Sequence, residues 1–120
     1  MKDIKPQKTL DEAEELFDLA KEELCRPEED VVHYMVCSNS YKAISKYLAG
    51  FLMKNILKNQ TSLSIEDLLR QCREVDPEFK KLDLAPLTHQ KNPEDVWMNM
   101  DTAREFMMLA EKTRALVNAM

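Results

Sequence analysis

Residues Val31–Ile56 read VVHYMVCSNSYKAISKYLAGFLMKNI, a 26-residue run without a single acidic side chain. Val32, Met35, Val36, Ala43, Ile44, Tyr47, Leu48, Phe51 and Leu52 recur at helical spacing along it. They cover a stripe wider than a surface helix needs, so the run is expected to be one helix in contact with two or three others. The flanking sequence agrees with a helical class. One glycine in 120 residues is too few for the tight turns of a doubly wound or all-β fold. Few β-branched residues and frequent Leu, Ala, Met, Glu and Lys also favour helices.

Working towards the N-terminus, Thr9 and Glu12 have capping-box spacing, and Leu10, Ala13, Leu16, Phe17, Ala20 and Leu24 follow as a helical stripe. Residues 1–8 are polar and are expected to fray. Pro27 breaks this first helix and is expected in the first turn of the second, where Glu28, Glu29 and Asp30 suit a helix N-terminus. Towards the C-terminus, the second helix is expected to end near Lys58 or Asn59, and Gly50 inside it suggests a close helix crossing. Ser64 caps a third helix carrying Ile65, Leu68, Leu69, Cys72 and Val75, which must stop before Pro77. Residues 76–91 form an irregular connection anchored by Phe79, Leu82, Leu84 and Leu87. Asn92 and Pro93 then start a last helix with one stripe of Val96, Met100, Ala103, Met107, Ala110 and Val117 and a second of Phe106, Leu109 and Leu116. The expected fold is therefore all-α, a single domain over residues 1–120 built as a four- to five-helix bundle with mainly antiparallel neighbours.

The net charge of −5 is unevenly distributed. Residues 11–30 hold ten acids against Lys21 and Arg26, a local −8, whereas residues 31–60 hold Lys42, Lys46, Lys54 and Lys58 with no acid, a local +4. The simplest arrangement lays the acids of the first helix beside the lysines of the second. The functional alternative makes Lys42 and Lys46 a basic strip for phosphate or an acidic partner, although an acidic chain attracts nucleic acid poorly. No apolar run resembles a signal peptide or a membrane span, and three cysteines without CxxC spacing suggest free thiols, so a cytoplasmic protein is expected.

Candidate chemistry is sparse. His33 and Cys37 share a helix face, but no second ligand pair accompanies them, so no metal site and no cofactor are expected. A phosphorelay histidine would be followed closely by lysine and glycine, which neither His33 nor His89 is. No serine or cysteine has a base and third residue placed by motif.

The helix order, with Lys42-Ala43-Ile44 inside Ser40–Leu48 of the second helix and Ile65-Glu66-Asp67-Leu68-Leu69 opening the third, resembles the HEPN family. These are the "higher eukaryotes and prokaryotes nucleotide-binding" helical domains, and the similarity extends over roughly residues 9–118. The resemblance implies an up-and-down bundle like the substrate domains that accompany nucleotidyltransferases. The family's second helix commonly reads Glu-Lys-Ala-Leu-Lys; here Tyr41 replaces the glutamate, Lys42 matches, and Ser45 stands where the second lysine would be. Ser62-Leu63 replaces the Thr-His that often opens the family's third helix. Active members resemble metal-independent ribonucleases built on arginine, four to six residues and histidine near the last helix, with the histidine moving a proton and the arginine steadying phosphate. No arginine precedes His89 at that spacing. Arg26 and His33 satisfy the bare count, but four residues between them are Pro27, Glu28, Glu29 and Asp30, and those acids repel phosphate.

The resemblance therefore implies a binding or accessory module without the nuclease motif, whose ligand would be a nucleotide, RNA or a nucleotidyltransferase partner. The alternative is a diverged, toxin-like ribonuclease using Arg26 and His33. The family also implies a homodimer. Trp97, Met98, Met100, Met107 and Met108 run nearly round the last helix, which makes it the expected contact.

Overall fold

The computed structural model describes residues 6–56, 64–85 and 100–119. Among them the chain is all-α: α1 (Pro6–Leu24), α2 (His33–Ile56), α3 (Ile65–Val75) and α4 (Met100–Ala119), with 3-10 turns at Glu28–Asp30 and Pro77–Lys81. Lys58, Asn59, Ser62, Leu63, Leu87, His89, Asn92, Pro93, Val96, Trp97 and Met98 lie outside the described residues. So do the expected end of the second helix and the expected start of the last.

The start of α1 departs from expectation. The helix already runs from Pro6, and Thr9 is buried on its inner face with Ala13, Phe17 and Ala20. A capping box at Thr9 and Glu12 is thereby ruled out. Proline at a first helical position has its φ preset and no N–H to leave unsatisfied, so the helix starts a turn before the threonine.

The junction between α1 and α2 also differs. Pro27 does not open α2: residues 28–30 form a separate 3-10 turn, Val31 is extended at φ −69° and ψ 127°, and α2 begins at His33. Extended backbone at Val31 puts that side chain into the core. Glu23, near the end of α1, then caps the restart by accepting the Val32 N–H at 2.9 Å.

Once started, α2 is the central element. Val36, Cys37, Ser40, Ala43, Ile44, Tyr47, Leu48, Ala49, Phe51, Leu52 and Met53 are all buried. Val32 and Met35, expected on the buried stripe, are exposed instead.

Cross-contacts set the helix directions. Lys46 pairs with Glu12, and Val32 pairs with Glu23, so α1 and α2 are antiparallel. Ser40 faces Met107, and Tyr47 lies near Arg114, so α4 advances in the same direction as α2 while packing antiparallel to α1. The Cys72 thiol donates to the Leu48 carbonyl at 3.7 Å and Phe79 stacks on Phe51, so α3 and its following turn also advance with α2.

α1 and α2 approach closely at Gly50. A Cβ there would sit 2.6 Å from Leu10 Cδ2 and 2.7 Å from Leu10 Cγ. Gly50→Ala gains about 1 kcal/mol of helix propensity but must push Leu10 aside, so it should be neutral or destabilising. In a Leu10→Ala background the same change should stabilise by about 1 kcal/mol, a sign reversal that a double-mutant cycle of urea melts would detect.

The caps at α3 follow the sequence. Ser64 Oγ accepts the Asp67 N–H at 3.2 Å, and the helix ends at Val75 before extended Asp76 and Pro77. Asp76 then caps the 3-10 turn through the Glu78 N–H at 2.9 Å. Arg73 donates to the carbonyls of Phe79 at 3.3 Å and Leu82 at 2.7 Å, while Phe79, Leu82 and Leu84 are buried. These are three of the four anchors read from the sequence for this connection, Leu87 lying outside the described residues.

Candidate functional site

Arg26 and His33 come to the α1–α2 junction, where α1 ends and α2 restarts. Arg26 Nη1 lies 3.3 Å from Glu23 Oε2, the oxygen that also accepts the Val32 N–H. Its guanidinium therefore serves a carboxylate that holds the junction together. His33 is half-buried as the first residue of α2, and between the two residues stand the exposed Glu28, Glu29 and Asp30. A phosphate entering here would meet three carboxylates, and the nearby arginine is already neutralised.

The lysine strip is also partly used. Lys46 Nζ lies 3.4 Å from Glu12 Oε1, joining α2 to α1 as the charge distribution suggested. Lys42 is exposed one turn earlier. Together with Tyr41, Ser45 and Ala49 the two lysines line a groove of about 140 Å³. Small-molecule sites usually offer about 300–1,000 Å³, so this groove is too shallow to enclose a nucleotide.

Tyr47, Glu14 and Arg114 form a cluster that sequence reasoning missed. Arg114 Nε donates to both carboxylate oxygens of Glu14 at 3.0 Å, and its guanidinium carbon lies 5.1 Å from the centre of the Phe17 ring. The Tyr47 hydroxyl is enclosed beside this pair, with none of its hydrogen bonds made in good geometry. Burial, and then the Glu14 charge, push its ionisation above the ordinary phenol range. The cluster ties three helices together. No local signal announces it, because Glu14 and Arg114 are 100 residues apart in sequence.

The thiols offer no nucleophile in the core. Cys37 and Cys72 are fully buried, and burial pushes both up to about 12. Cys25 is exposed at the end of α1. Among the described residues no three His, Cys, Asp or Glu side chains converge to hold a metal. None of these helices is long and apolar enough to cross a membrane. Of the methionines expected to form a contact on α4, Met107 is buried, Met100 is half-buried and Met108 is exposed. The surplus apolar surface of the described part of α4 is therefore small.

No family model matches the chain, and no curated protein or solved structure is significantly similar to it.

Proposed function

We propose that the chain is a HEPN-like helical module that acts by binding a protein partner and does not cleave RNA. One observation carries this reading: Arg26, the arginine that would have to serve His33, and several other cations already hold carboxylates. Arg26 pairs with Glu23, Lys46 with Glu12, Arg70 with Asp67, Lys81 with Glu78 and Arg114 with Glu14. Arg73 is bound to backbone carbonyls. A ribonuclease needs a cation that meets its substrate unneutralised, beside a group able to transfer a proton. Arg26, the arginine closest to His33 in sequence, is already held by the Glu23 carboxylate.

The purified protein should therefore cleave neither single-stranded RNA nor transfer RNA faster than a mock preparation. Cleavage abolished by both His33→Ala and Arg26→Ala would replace this reading with the diverged ribonuclease. Activity indifferent to both substitutions would indicate a contaminating nuclease.

A further inference from the structure

We propose that the open seam between α1 and α2 is a docking surface for a basic amphipathic helix of a partner protein. This inference rests on the binding-module reading and adds to it the surface and the chemistry of the partner. Two contacts hold the seam in register, Glu12 to Lys46 at one end and Glu23 to the Val32 N–H at the other. Glu12, Leu16, Leu19 and Glu23 share one face of α1, and Val32, Met35, Asn39, Lys42 and Lys46 share one face of α2. Because the ends are paired, the residues between them must lie side by side. Leu19 falls abreast of the α2 turn that carries Met35.

The centre of this seam is apolar and open. Leu19 is 51% exposed, Val32 45% and Met35 47%. Scattered apolar side chains need no explanation, but three gathered on one seam form a patch, and patches on soluble proteins mark contacts. Its border is acidic. Glu15 and Glu22 are exposed one turn before and one turn after Leu19, and Glu28, Glu29 and Asp30 close the Val32 end. At the far end Lys42 is exposed and Lys46 is paired with Glu12, so acids outnumber cations along the border.

An apolar floor with an acidic border complements a helix whose apolar stripe is flanked by lysine or arginine. The same border opposes other occupants. RNA and anionic lipid would be repelled.

The test is fluorescence anisotropy of the full chain with two synthetic peptides of about five helical turns. One is a leucine–lysine amphipathic helix and the other has the same pattern with glutamate for lysine. The lysine peptide should bind at physiological salt and the glutamate peptide should not. Leu19→Asp combined with Met35→Asp should weaken binding about tenfold or more, since the apolar contact is lost. Pure charge attraction predicts the opposite, because the variant carries two more negative charges. Both positions are exposed, so the fold should persist, which circular dichroism would verify. As a second variant, Glu15→Lys with Glu22→Lys should reverse the peptide preference.

Equal affinity for both peptides, or lysine-peptide binding undiminished in the aspartate variant, would overturn the proposal. So would sedimentation showing a dimer that the aspartate variant dissociates, since the seam would then hold a second copy. If neither peptide binds while RNA stays intact, the docking surface falls and the non-nuclease module stands. Cleavage dependent on Arg26 and His33 would instead remove the module reading itself.

Discussion

Between pH 9 and pH 12 the protein should lose most of its stability, and Cys37 and Cys72 should account for much of the loss. Both thiols are fully buried and are held up to about 12, against an ordinary value of 9.0. Below pH 9 each is protonated in the folded and unfolded chain alike, so neither makes stability depend on pH. Above pH 9 the unfolded chain ionises while the folded chain keeps its protons. The folded state then binds more protons, and stability falls as pH rises, by about 1.4 kcal/mol per pH unit for each thiol. Across the window that is roughly 3 kcal/mol per thiol, or roughly 6 to 7 kcal/mol for both, comparable with the 5–15 kcal/mol of a typical domain. The raised Tyr47 hydroxyl acts in the same direction above its own ordinary value of 10.0. Urea melts in the presence of reductant at a series of pH values would measure the slope. Cys37→Ser with Cys72→Ser replaces both titrating groups by hydroxyls that do not ionise in this range. The double variant should start less stable but show a slope flatter by up to roughly 3 kcal/mol per pH unit. An unchanged slope would mean that water reaches these thiols in the folded protein.

Phe79→Ala should be the most damaging single truncation outside the long helices, costing about 3–5 kcal/mol. Phe79 is fully buried, its ring centre lies 4.7 Å from that of Phe51 at a tilt of 52°, and it holds an irregular segment with few other ties. That geometry falls within the favourable range for aromatic pairs, which adds to the cost of area and cavity. The melting temperature should fall on the order of 10 °C or more. Amide exchange should quicken at Phe79 and Leu82, whose N–H groups bond to the Asp76 and Phe79 carbonyls. Lys80→Ala, at an exposed neighbouring position, should change neither measurement appreciably. A small effect of Phe79→Ala would mean that the segment is held by Arg73 and its two carbonyl bonds, with the ring adding little.

The two predictions differ in how much of their basis the sequence contains. Phe79 is legible as an anchor because Pro77 ends α3 and the next apolar residues must fold back or stand in water. The Ser64 cap, the helical class and the breadth of α2's buried face were legible in the same way. Each depends on residue types within a turn or two of one another, where backbone hydrogen bonding and side-chain spacing act directly. That acids of α1 lie beside lysines of α2 was legible from two oppositely charged runs joined by a short break, and Lys46 with Glu12 is the pair that forms it.

Tertiary structure decided what local chemistry left open. Pro27 and three acids have all the marks of a helix start, yet α2 begins at His33, because Glu23 from the preceding helix supplies the cap and Val31 enters the core extended. Val32 and Met35 share the period of the buried stripe but lie on the open edge of the α1–α2 seam, and periodicity cannot show which edge of a stripe a neighbour leaves uncovered. The candidate site changed for the same reason. By count Arg26 and His33 are a catalytic pair, and by contact Arg26 belongs to Glu23. Glu14 and Arg114, distant in sequence, meet only because α4 packs beside α1. Sequence spacing determined which residues share a helix face; which of those faces are covered, and which charges are already neutralised, depended on helices brought together from distant parts of the chain.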